Sequence, residues 1–466
     1  MPPASWLLPL VMVLTLGYQL SGTLALALAS HVALIAYVAL EWPRLTRLPR
    51  VLVTIATVMI LTLPWFSGDP LQALLEAFNR AAWFGTFLAA LSFLREAAAT
   101  SPLVRQCGEV VIAQPPAKRY ATLSGGAFLI GVLLNMAVLN LLGTMVQRAN
   151  TLAAAAGHRI VQEVRARRMF SAMIRGFGTA PLGSPLSITL AMILSMVPAV
   201  DWRSVLPLGL LTMLLLLAFG WLWDQREAPR HLASLVAKPV SPPRGWVPIT
   251  RFFALALAVF LAAAALDEFA AIPLPISILL TAPAAAFVWM ISQRMRRGLL
   301  RAAGLSAARL RRRAPDQFGS MRTEVCVLAA AGLMGTLIAA AIPSETFAEL
   351  LQMLGLDGLP VALLVLLLMA VLPQFGLNPV LVGTIILSSM SQPELFGLSP
   401  TLLALATMSG WTMAISSSPV TTSILIAGRM AGVSPQVAGW SWNGRYVIAA
   451  TGLLCGWLLV LDRIVG

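Results

Sequence analysis

Long apolar runs separated by short basic stretches recur from one end of the chain to the other. Runs near the roughly 20 residues that cross a bilayer as a helix fall at about 5–20, 23–41, 51–66, 82–95, 176–200, 204–223, 250–266, 272–292, 325–343, 401–427 and 445–462. Two further apolar segments, 122–146 and 359–391, are interrupted internally. The pattern predicts an all-α polytopic membrane protein with about 11 transmembrane helices. No basic cluster precedes the first run, which therefore reads as a retained span and not as a cleaved leader.

The polar positions orient these spans. Lys and Arg number three in 42–50, four in 95–119, six in 147–175, five in 224–251 and nine in 293–322. Segments 267–271, 343–358 and 391–400 have none, and 201–203 has one. Basic loops stay in the cytoplasm, so the first set is predicted inside, the second outside, and the N-terminus inside. Segment 122–146 then has cytoplasmic flanks on both sides, and 359–391 has external flanks on both sides. Both are predicted to be re-entrant hairpins that point at each other.

Composition agrees. Hydrophobic residues make up 59% of 466 positions and charged residues 11%, far too few charges for a soluble domain. The net charge of +14 comes from 30 Arg and two Lys concentrated in the cytoplasmic loops. That placement reads as membrane topology and contact with anionic lipid, with no nucleic-acid partner. The Arg-rich, Ala/Leu-rich composition points to a bacterial inner membrane. Cys107, Cys326 and Cys455, and His31, His158 and His231, are dispersed without ligand or nucleophile spacing. Asp267-Glu268 is the one adjacent acidic pair, so an enzyme acting on a lipid-linked substrate ranks behind transport, beside a channel or partner subunit.

One span carries unexpected chemistry. GFGTAPLGSPLSITL, 176–190, has three Gly, two Pro, two Ser and two Thr in fifteen residues. GWTMAISSSPVTTSI, 410–424, repeats it at an offset of 234: Gly176 on Gly410, Ala180 on Ala414, Ser184 on Ser418, Pro185 on Pro419, Ser187 on Thr421. The hairpins align at an offset of 238, NLLGT (140–144) beside NPVLVGT (378–384). The chain thus reads as an N-terminal span at 1–21, a first repeat at 22–223, a cytoplasmic linker at 224–249 and a second, inverted repeat at 250–466. Inverted repeats with paired discontinuous helices build secondary transporters with a site near the midplane. Proline removes a helix donor and crowds the preceding turn, so each helix is predicted to unwind there. Unwound backbone in a bilayer is costly unless satisfied, and a ligand satisfies it. Half-helix N-termini suit an anion. Freed carbonyls with Ser, Thr and Asn oxygens suit Na⁺.

The candidate substrate and ion residues are Asn140, Gly143, Thr144, Thr179, Gly183, Ser184, Pro185, Ser187, Asn378, Thr384, Ser416, Ser417, Ser418, Pro419 and Thr421. A coupling Na⁺, the one cofactor considered, is placed near Asn140, Ser184, Asn378 and Ser418. No carboxylate or arginine falls within either hairpin core or either broken segment as bounded here, so an anion is expected to be held by dipoles and hydroxyls.

GFGTAPLGSPLS and GWTMAISSSPVT resemble the unwound helices of the ion transporter superfamily, especially its divalent anion:sodium symporters and arsenite-permease-like branch. The hairpin tips read Leu139-Asn140-Leu141 and Leu377-Asn378-Pro379 and depart from that family's Ser-Asn-Thr. The resemblance implies an elevator-type transporter of a small anionic solute (an organic acid or oxyanion), coupled to Na⁺ or H⁺ and working as a homodimer. It also implies connecting arms, matched here by 104–120 and PSETFAELLQMLG (343–355), the latter with Phe347, Leu350, Leu351 and Leu354 at helical spacing. Segment 151–172, amphipathic and basic, is expected to rest on the inner leaflet.

Overall fold

The structure is a computed structural model that describes residues 4–65, 67–227 and 245–465. Residues 228–244, within the predicted linker, and the first three residues of the predicted first span lie outside it. All regular elements among the described residues are helical. Their starts follow local chemistry. The Asp69 carboxylate accepts from the Gln72 N–H at 3.1 Å ahead of Pro70, and Ser399 does the same for Leu402 ahead of Pro400. Each is an N-cap followed by the one residue that has no N–H to leave unpaired.

Among the described residues, eight helices are long and apolar enough to cross a membrane, or nine if a bent pair is taken as one span. The expectation of about 11 counted two segments differently. The first apolar helix, α1 (Ala4–Ser21), is short, and the 401–427 segment is divided by its break. The bent pair is α4 (Pro70–Ala99) and α5 (Pro102–Ile112), which turns by 77° at Thr100-Ser101. Against α4 pack α1, α2 (Leu24–Glu41) and α15 (Arg322–Ala341), while α3 (Arg47–Thr62) lies on α15. Small residues make the α4–α15 approach close: Ala73, Ala77, Ala81 and Ala82 on one side, Ala329, Ala330, Ala331 and Gly332 on the other.

The order of elements after α4 recurs after α15. A short arm, a helical hairpin, a broken helix and a closing helix follow in each case. In the first set these are α5, then α6 (Pro116–Leu134) and α7 (Ala137–Ala149), then α8 (Arg159–Gly178), α9 (Ala180–Gly183) and α10 (Ile188–Met196), then α11 (Trp202–Glu227). In the second they are α16 (Ser344–Met353), α17 (Leu359–Val371) and α18 (Pro379–Ser389), α19 (Pro400–Ser417) and α20 (Thr422–Ala431), then α21 (Trp442–Val465). Between the sets lie α12 (Val247–Ala270), α13 (Leu274–Ser292) and the basic α14 (Leu299–Ser320).

Both interrupted segments fold back on themselves. Gly126 of α6 abuts Val111, while Leu142 and Met145 of α7 lie against Gly108, one turn away on α5. A continuous helix would separate 126 from 142 by about 24 Å. In the second set, Gly410 meets Leu366 of α17 and its neighbour Trp411 meets Gly383 of α18. The turns fall at Asn135-Met136, where Asn135 adopts φ 51°, and at Phe375 to Asn378, where Gly376 adopts φ 100°. Asn and Gly are the residues that enter positive φ at least cost.

Two sequence expectations change. Residues 159–172 do not form a separate surface helix: α8 runs unbroken from Arg159 to Gly178, buried from Met169 onward. Consequently Arg175 belongs to the broken helix, one residue before the segment from which arginine was thought absent. On α16, Leu351 is buried while Leu350, Met353 and Leu354 are exposed apolar residues.

Candidate functional site

The two breaks have the same local build. Ser184 and Ser418 leave the helix with φ/ψ of −98/117° and −69/121°, and Ser187 and Thr421 precede the next helix at −74/142° and −71/142°. The Ser184 N–H bonds the Ala180 carbonyl at 3.0 Å, and the Ser418 N–H bonds Ala414 at 2.9 Å. Ser187 N–H closes onto the Ser184 carbonyl at 3.1 Å, as Thr421 N–H does onto Ser418. Between them Pro185 and Pro419 offer no N–H. A four-residue interruption is thereby repeated at the offset of 234 read from the sequence.

Contacts around the breaks are paired too. A Cβ on Gly176 would overlap the Ser124 backbone of α6, and one on Gly410 would overlap the Leu366 carbonyl of α17. Each broken helix therefore lies backbone-to-backbone against the first arm of its own hairpin. The second arms cross to the other set: Gly143 of α7 meets Met430 of α20, and Gly383 of α18 meets Met192 of α10. The broken helices meet each other where Gly178 faces the Ser416 hydroxyl.

Most hydroxyls at the breaks have already given their proton to a carbonyl. Thr179 donates to Gly176 (2.8 Å), Ser416 to Thr412 (2.8 Å) and Ser417 to Met413 (2.9 Å). Ser418 donates to Pro373 (2.7 Å), and Thr421 to the Ser418 carbonyl (2.7 Å). Carbonyls only accept, so these oxygens keep lone pairs and present no proton. Ser187 caps α10 by accepting from the Leu190 N–H at 3.2 Å. Such oxygens suit a hard cation. The backbone N–H groups that begin α10 and α20 are the donors that suit an anion.

The remaining predicted residues divide. Asn378 sits at the turn of the second hairpin, where its side chain accepts from the Val380 N–H at 2.8 Å. Asn140 is not at a turn: it lies inside α7, exposed, beyond the Asn135-Met136 corner. The offset of 238 fails because the first turn has two residues and the second includes the extra helical turn Leu372–Phe375. The Gly-Thr pairs correspond instead, and they serve packing. Gly143 admits Met430, Thr144 donates to the Asn140 carbonyl at 2.8 Å, and fully buried Thr384 lies within 3.1 Å of three carbonyls, Val380, Leu381 and Ala331. Gly183 is likewise a close approach, to Met213 and Phe128.

Three residues outside the predicted set join the breaks. Gln374, in the second hairpin turn, donates to both Ser417 Oγ and the Ala370 carbonyl at 2.9 Å, and its Oε1 is buried without a partner. Its signal was its place among Pro373, Gly376 and Asn378. Buried Arg175 donates to Asn443 Oδ1 at 2.8 Å and stacks 4.0 Å above the Tyr446 ring. Asn443 follows a π-helical turn, Val437–Ser441, and this link ties the first broken helix to the last closing helix. Asp267 and Glu268 bind Arg203 at 3.2 and 2.6 Å, joining α11 to α12 at a loop.

No family model matches the chain, and no curated protein matches it. Among solved structures it resembles the Alcanivorax borkumensis YdaH transporter, described as having an unusual topology. The match covers 88% of this chain and 98% of that one, with a TM-score of 0.52 at 14% identity. At that identity the likeness speaks to the fold. The chain is a polytopic helical membrane protein with the fold of a transporter.

Proposed function

We propose that the protein is a secondary transporter that carries a small anionic solute, an organic acid or oxyanion, by an elevator motion coupled to Na⁺ or H⁺. The observation that carries this reading is the matched pair of breaks: at the second, Ser416, Ser417, Ser418 and Thr421 keep oxygen lone pairs after donating their protons to carbonyls, and Ser184 and Ser187 stand at the corresponding places of the first. An oxygen cluster without carboxylates favours Na⁺ as the coupling ion, held near Ser184 and Ser418. The N-termini of α10 and α20, each beginning directly after its break, favour an anionic solute. Basic loops on one side support the inverted orientation of the two sets and the re-entrant character of both hairpins. In this reading α2, α3, α4 and α15 form the fixed scaffold of a homodimer, α5 and α16 are the arms, and the hairpins with the broken helices move. The likeness to a transporter structure supports the class, and the sequence resemblance supports the divalent anion:sodium symporter kinship.

The test is uptake into proteoliposomes of labelled dicarboxylates and inorganic oxyanions under an inward Na⁺ gradient. Accumulation above the outside concentration, abolished when the gradient is collapsed, is the expected result. Passage independent of any Na⁺ or H⁺ gradient would point to a channel and overturn the proposal.

A further inference from the structure

Away from the breaks, one pocket gathers three arginines. It is lined by Arg119 and Tyr120 of α6, Arg165, Arg168 and Met169 of α8, and Asp224 of α11. Three guanidiniums thus converge on a single carboxylate. Arg168 takes that carboxylate for itself, with Nε and Nη2 at 3.0 and 2.6 Å from the two Asp224 oxygens. Among the described residues, Arg119 and Arg165 are left with backbone carbonyls only: Arg119 Nε donates to Gln114 at 3.1 Å and Arg165 Nη1 to Ala154 at 2.7 Å. Arg165 Nε is buried and has no hydrogen-bond partner among the described residues. Among the described residues, the Arg119 and Arg165 charges therefore have no carboxylate partner in this partly buried site. Burial, together with the Arg165 and Arg168 charges, pushes the Arg119 guanidinium down to about 10, so it is still charged at neutral pH.

Like charges held together at partial burial repel each other. An oxyanion between them removes the repulsion and satisfies Arg165 Nε. The free space is about 20 Å³, room for a water-sized group. That fits one or two oxygens of a phosphate whose remainder stays at the mouth, where Arg119, Arg165 and Arg168 are partly exposed. The surrounding loops are those that the charge pattern puts at the cytoplasmic membrane surface, where basic pockets between helices meet anionic headgroups.

We propose that this pocket binds a phosphate group, either of an anionic phospholipid headgroup or as free inorganic phosphate, and clamps α6, α8 and α11 together. Thermal unfolding of the detergent-purified protein tests it in two arms. One titrates inorganic phosphate against chloride at equal ionic strength. The other dopes the micelles with phosphatidylglycerol against phosphatidylcholine. A rise in Tm with phosphatidylglycerol alone identifies the lipid, and a rise with inorganic phosphate identifies the free anion. Either rise is expected to disappear in Arg119→Gln/Arg165→Gln and to persist in Arg312→Gln/Arg313→Gln, which removes the same charge from exposed positions of α14. Without ligand, Arg165→Gln alone is expected to match or exceed the wild-type Tm, because it relieves repulsion. That single variant gives the same readout should the double one not be recovered. No rise in either arm, or an equal rise in the pocket variants, overturns the proposal.

Discussion

Ser418 donates its proton to the Pro373 carbonyl and so joins the second break to the turn of its hairpin, in a fully buried position. Ser418→Ala leaves that carbonyl unpaired and should cost about 1–2 kcal/mol, seen as a lowered midpoint in thermal unfolding. A larger effect is expected at Glu41, which has no exposure and holds Arg322 at 2.9 Å and Arg44 at 3.5 Å. Glu41→Gln leaves Arg322 without its counter-charge and should cost about 3 kcal/mol, the lower end for a broken buried pair because Arg322 keeps some exposure. An unchanged midpoint would mean the pair is fully hydrated. The breaks were legible at this scale because Ser-Pro in an apolar run has few other uses. Asn140 does not mark the corner because Asn is a common turn residue, and the corner falls at the earlier Asn135. Arg175 was missed because a basic residue at the edge of an apolar run reads as loop.

At the scale of elements, close backbone approach sets where helices meet. Gly176 and Gly410 have no room for a Cβ against the Ser124 and Leu366 backbones. Gly176→Ala and Gly410→Ala should each destabilise by about 1–3 kcal/mol through forced separation of the broken helix from its hairpin. Alanine at exposed Gly304, where a Cβ meets nothing, serves as the control. Equal midpoints for all three variants would contradict the paired packing. The glycine correspondence itself was visible in the sequence, as was the existence of both hairpins from their interrupted apolar pattern. Their corners were not, because a two-residue turn and a longer helical turn leave different marks. The crossing of α7 onto α20 and of α18 onto α10 was also hidden, since it joins residues hundreds of positions apart through Gly–Met contacts that no local pattern encodes.

For the whole molecule, the basic loops predict an orientation that labelling can test. One span, α15, separates Arg301 from Glu349, so a single cysteine at each should face opposite sides of the membrane. In sealed right-side-out vesicles an impermeant maleimide should label Glu349→Cys directly and Arg301→Cys only after permeabilisation. Cys107 and Cys326 are buried and Cys455 half-buried, which keeps background low. Labelling of both from one side would remove the inverted arrangement on which the transport reading stands. The most direct test of the central claim, that the matched breaks hold a cation, is thermal unfolding in NaCl against choline chloride at equal ionic strength. A ligand that binds only the native state raises the midpoint by mass action. A Na⁺-specific rise in the wild type, lost in Ser184→Ala/Ser418→Ala, is the expected result. Equal midpoints in the two salts, or a rise that survives the double substitution, would contradict it.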